Sequence, residues 1–151
     1  MTTEEYLSIL DALAVLPFPE AACADTSGEG GPAHHLRYLQ VSRDFWDDDD
    51  GQAWVEAEAG LRGRLDELAT YLTARWGHAS VVDLGPYVVA GCEGEPVPEP
   101  LDFLSQNVVS MRVWPLPDGD RWLALAIGQA DKELPLMLFA AVGLASSIEI
   151  R

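Results

Sequence analysis

A chain of 151 residues with 48% hydrophobic and 23% charged side chains is long enough to bury about two thirds of the surface it would expose unfolded. It is also too apolar to remain disordered. Its 25 acidic residues against 9 basic ones leave a formal net charge of −16, a field that repels nucleic-acid phosphates and anionic lipid surfaces and draws basic partners in.

The expectation is therefore a protein that binds neither nucleic acid nor membrane. No basic, apolar leader opens the chain, and the longest nearly unbroken apolar run, residues 134–145, is too short to span a bilayer as a helix. A cytoplasmic location is expected. Cys23 and Cys92 read as unpaired thiols of a reducing compartment.

In chain order, Thr2 and Glu5 form a capping-box pattern in which each side chain satisfies the other residue's backbone N–H. It predicts a helix over about residues 3–15, with Tyr6, Ile9, Leu10, Leu13 and Leu16 on its buried side. Pro17 and Pro19 end it. Residues 20–34 are rich in glycine and read as a loop. Residues 35–42 read as a short strand.

An aromatic pair embedded in acid follows. Between Arg43 and Glu58 there are seven acids (Asp44, Asp47, Asp48, Asp49, Asp50, Glu56 and Glu58) and one base. One or two carboxylates before a helix satisfy its free N–H groups and its dipole. Four in a row exceed that need and repel one another.

Residues 52–76 give the clearest pattern: Trp54, Ala57, Leu61, Leu65, Leu68, Leu72 and Trp76 recur at helical spacing in one stripe, and Gly77 suits a left-handed cap. Gly60 and Gly63 lower helix propensity there, which suggests close packing or a bend. Residues 79–84 read as a strand that 87–90 either extend or follow with another. Residues 91–100 read as an exposed Pro/Gly loop, and 101–104 as a short turn. Residues 109–114, 121–128 and 134–142 read as three consecutive strands, the first two joined by a hairpin turn at Asp118-Gly119; for 134–142, apolar on both parities, a buried helix is the alternative, and the hairpin rhythm favours the strand. The second, apolar on both parities, belongs inside a sheet.

Catalytic and cofactor signals are absent from the sequence. The glycines at 28–31 lack the lysine of a phosphate loop, no serine sits in a Gly-x-Ser-x-Gly elbow, and His34, His35, His78 and the cysteines lack metal-ligand spacing. No catalytic residue, metal or cofactor is assigned. If extended, the polar insert within 129–133 would set Gln129, Asp131 and Glu133 on one side, where two carboxylates could hold a cation or share acid/base work.

The expected fold is α+β and one domain over residues 1–151: a mostly antiparallel sheet of four to six strands, covered by a long central helix and an N-terminal helix. The preferred function is a non-enzymatic acidic binding protein. Its partner would be a basic protein, gripped by Phe45, Trp46, Asp47, Asp48, Asp49 and Asp50, with Glu56 and Glu58 as rim. A small acidic chain of this kind resembles in type the bacterial immunity proteins, and the resemblance implies an inhibitor of a cognate toxin. The alternatives are an enzyme or small-ligand binder centred on Gln129, Asp131 and Glu133, and a homo-oligomeric structural or adaptor subunit. Oligomeric state is left open.

Overall fold

The computed structural model describes residues 1–148. Along them run α1 (Thr3–Val15), β1 (Cys23–Asp25), β2 (Gly28–Gly31), β3 (His34–Val41), α2 (Gln52–Trp76) and β4 (Ser80–Asp83). They are followed by α3 (Gly85–Cys92), α4 (Leu101–Asn107), β5 (Ser110–Pro115), β6 (Arg121–Gly128) and β7 (Met137–Leu144). The strands form one sheet in the order β1-β2-β3-β7-β6-β5-β4, every neighbouring pair antiparallel. The fold is α+β, with the long helix expected over 52–76.

β7 lies between β3 and β6 because it is apolar on both parities and both of its faces are covered. Leu138, Ala140 and Val142 point to one face, where Leu123, Leu125 and Trp114 join the buried stripes of α1 and α2. Phe139 and Ala141 point to the other, against Trp122 and Ala124 and the residues Leu84, Leu101 and Leu104 from α3 and α4 and their approaches. The sheet thus separates two cores.

Local chemistry accounts for the helix ends. The Thr2 hydroxyl accepts from Glu5 N–H while the Glu5 carboxylate accepts from Thr2 N–H, and Gly77 closes α2 at φ 88°. Along α2, Leu61, Leu65, Leu68 and Leu72 are buried as the stripe predicts. Gly60 and Gly63 are not packing sites: a Cβ on either would meet open space.

Four segments differ from the sequence expectation. The sheet has seven strands rather than four to six. The extra two, β1 and β2, fall inside the segment read as a loop. The sequences Cys-Ala-Asp and Gly-Glu-Gly-Gly carry no apolar alternation, so the strand state there comes from hydrogen bonding of β1 to β2 and of β2 to β3 and not from propensity. Residues 87–90 are helical, not extended, with Pro86 in the first turn of α3 where a missing N–H costs nothing. Residues 101–104 open a two-turn helix instead of a single turn.

Candidate functional site

The acidic segment 43–50 links the end of β3 to the start of α2, and its backbone is fixed at several points. Phe45 is 5% exposed and packs in the core between the sheet and the two longer helices. It was expected among the contact residues; its ring is buried, because an aromatic ring next to a sheet end gains more by burial than by solvation, and it still lines the groove beside Trp46. Phe45 N–H donates to the Glu133 carbonyl at 2.9 Å. The Asp48 carboxylate accepts from Ala53 N–H and Trp54 N–H, both at 3.1 Å, and Asp50 accepts from Gln52 N–H at 3.0 Å. Two of the four aspartates therefore cap α2.

The remaining acids divide by partner. Asp47 pairs with Arg43 at 2.6 Å, both exposed, Glu56 accepts from Gln52, and Glu58 pairs with Arg62. Among the described residues, the carboxylates of Asp44 and Asp49 make no hydrogen bond and no ion pair. They are the surplus that helix capping leaves over.

Trp46 stands beside them at 69% exposed. With Trp54, itself 38% exposed, it borders an open groove of about 390 Å³ whose other walls are Phe45, Asp48, Gly51, Lys132 and Glu133. Trp54 was expected in the buried stripe of the long helix. As the stripe's first member it lies at the helix end, where its indole N–H donates to Gln129 Oε1 at 3.1 Å.

That hydrogen bond joins two segments 75 residues apart. The polar insert and the acidic segment, read from the sequence as alternative sites, border the same face. Ser42 N–H donates to the Leu136 carbonyl and Leu136 N–H to the Ser42 hydroxyl, which tie the two segments further. The insert is a turn, not an extended run: Leu134 N–H donates to the Asp131 carbonyl, and the Gln129 amide donates to the carbonyls of Lys132 and Leu134. The one-sided spacing of Gln129, Asp131 and Glu133 depended on extended backbone and does not arise. Asp131 is exposed and accepts from Lys132 N–H; Glu133 lines the groove.

Chemically the groove sets two indole rings beside the carboxylates of Asp48 and Glu133 and the ammonium of Lys132, suited to cationic and aromatic-stacking contacts. Among the described residues, no group of three or more His, Cys, Asp or Glu is placed to hold a metal ion, and no helix is long and apolar enough to cross a membrane. Trp54 and Lys132 line the groove and were missing from the sequence-derived site. For Trp54 the signal was its place at the start of the stripe; for Lys132 it required the fold. Searches with this chain found no matching family model, curated protein or solved structure.

Proposed function

We propose that this protein is a non-enzymatic binding protein whose Trp46 face engages a basic protein partner. The observation that carries the reading is the 69% exposed Trp46 on a segment pinned by Phe45 below and Asp48 beside it. A large apolar ring held in water on a fixed backbone loses little freedom on docking, so its burial contributes fully to affinity. The free carboxylates of Asp44 and Asp49 and the net charge of −16 supply steering. The likeness in type to immunity proteins makes inhibition of a basic toxin the specific form of this reading.

The test is calorimetry against a panel of basic nucleases and other cationic proteins. A partner that fits this reading binds about 30-fold more weakly to Trp46→Ala, the loss of a hot-spot residue, and associates more slowly with the triple variant D44N/D47N/D49N. A partner whose affinity ignores both variants would remove the reading.

A separate observation favours a homo-oligomeric subunit as second reading. None of the eight residues of α3 is buried, although the helix is mostly apolar, with Val88 and Val89 exposed at 43% and 56%. It adjoins the edge strand β4, where Val81 is 73% exposed. Light scattering at increasing protein concentration would show a monomer throughout if this reading fails.

A further inference from the structure

The sheet ends on two strands that each have a neighbour on one side only, β1 and β4. β1 is three residues, Cys-Ala-Asp, with no large apolar side chain, and offers another chain little to pair with. β4 reads Ser-Val-Val-Asp, holds an unbroken register against β5, and carries none of the lysine, proline or bulge that usually guards a sheet edge. Its one charged side chain is turned back along its own chain, where Asp83 Oδ1 accepts from Gly85 N–H at 2.9 Å.

The parity of β4 follows from its last hydrogen bond. Leu84 N–H donates to the Val109 carbonyl at 2.9 Å, so the N–H groups of Val82 and Ser80 also point to β5, and Val81 and Asp83 turn their N–H and C=O groups away from it. β5 is the only strand beside β4. Among the described residues, those outward groups of Val81 and Asp83 have no hydrogen-bond partner.

Apolar side chains stand around this open row. Val81 lies on it, Val109 opposite its end is 83% exposed, and the exposed Val88 and Val89 follow in α3. The segments that build the edge, residues 77–92 and 103–117, contain one acid, Asp83, and one base, Arg112; the next acids, Glu93 and Glu95, come after the end of α3. The net charge of −16 therefore lies on the rest of the chain. Two copies so charged repel each other and approach at least cost where the local charge is balanced, whereas a basic partner is drawn to the acidic segment. The edge is also complementary to itself. A terminal strand that meets its own copy across a two-fold axis runs antiparallel to it, as every other pair in this sheet does. With the axis at Val82, Val81 of one copy stands opposite Asp83 of the other, and each such pair can exchange both of its N–H···O=C bonds.

We propose that two copies of this chain join edge to edge through β4, so that two sheets of seven strands become one continuous antiparallel sheet. The main-chain groups of Val81 and Asp83 are paired in it, and the valines beside the seam leave water. This inference rests on the homo-oligomer reading given above and names its contact.

Sedimentation equilibrium of the full chain, in a reducing buffer that keeps the free thiols of Cys23 and Cys92 from linking copies, measures mass against concentration. The wild type is expected to reach a dimer, and to reach it at lower concentration as salt rises from about 50 mM to about 500 mM, because screening weakens the repulsion between copies and leaves an uncharged contact intact. Amide hydrogen exchange followed by NMR should slow at Val81 and Asp83 as the dimer forms. V81K sets a charge on the open edge, and V81P removes only an N–H that β5 does not use; both should lose the dimer and stay folded by circular dichroism. A24K, on the other edge, should dimerise as the wild type does. A wild type that is monomeric at every concentration and salt overturns the homo-oligomer reading and this contact together. A dimer that survives both Val81 variants, or that only V88K/V89K dissociates, overturns the edge pairing and leaves the oligomer reading standing. A monomeric wild type whose binding to a basic protein is weakened by V81K would assign the edge to that partner and overturn the pairing as well.

Discussion

Replacing Phe45 with alanine is expected to cost about 3–5 kcal/mol of stability, the loss of a buried aromatic together with the cavity it leaves. Replacing its neighbour Trp46 should change stability by no more than about 0.5 kcal/mol, and urea unfolding of the two variants measures both. The sequence presents them as an aromatic pair, but one is 5% exposed and the other 69%. Period-based reading could not separate them, because neither helix nor strand runs through residues 43–50. His34 has a consequence of a different kind. It is 7% exposed, and burial first, then the neighbouring charge of His35, hold its imidazole below the ordinary 6.5. The unfolded chain then takes up the proton before the folded one, so His34's contribution is full above 6.5 and is lost as pH falls below it. H34Q is expected to flatten the fall in melting temperature between about pH 7.5 and about pH 5.5. A slope identical to that of the wild type would show that His34 has no part in it. Glu99, whose carboxyl burial pushes up from 4.5, acts in the opposite sense, contributing most below that value and less as pH rises through its folded pKa.

Among the elements, α2 was the most legible, since six turns of apolar stripe admit one orientation against a sheet. The same helix holds two residues that reduce its stability. Gly60 and Gly63 stand in its interior with open space where a Cβ would go, so Gly60→Ala and Gly63→Ala should each stabilise the protein by about 0.5–1 kcal/mol through a less disordered unfolded chain and a better helix former. Thermal melts will show this as a rise in midpoint; a fall would mean that a neighbour absent from this fold occupies the space. The strands β5 and β6 were legible for the same reason as α2, their burial being written in alternation or in a continuous apolar run. β1 and β2 were not: three exposed residues and a glycine-rich run gain strand structure only from the partner strand. In α3, Val88 and Val89 favour strands, and Pro86 at the helix start outweighs them locally.

At the scale of the whole molecule the charge remains the dominant number. Five ion pairs are present among the described residues, on side chains that keep part of their surface in water, where such pairs stabilise only modestly. Each pair is neutral in itself, so the whole net charge of −16 stays uncompensated. Raising salt from about 50 mM to about 500 mM is therefore expected to raise the melting temperature by screening self-repulsion, and to weaken binding to a basic partner by screening steering. Differential scanning fluorimetry and calorimetry read the two effects on the same samples. A melting temperature that drops with salt would mean that the surface ion pairs outweigh the repulsion.

By itself the sequence determined the α+β class, both longer helices with their ends, the strand pair at 109–114 and 121–128 and the acidic segment before Gly51, because propensity, capping and apolar period act over neighbouring residues; that 134–142 is strand and not buried helix was decided by its place between β3 and β6. Only the tertiary structure decided which aromatic of that segment is buried, that Trp54 and Gln129 share a face with it, that seven strands and not six make the sheet, and that β4 stands at the end of it. Each of those depends on strand pairing or contact between residues far apart in the chain, where the local period of the sequence carries no information.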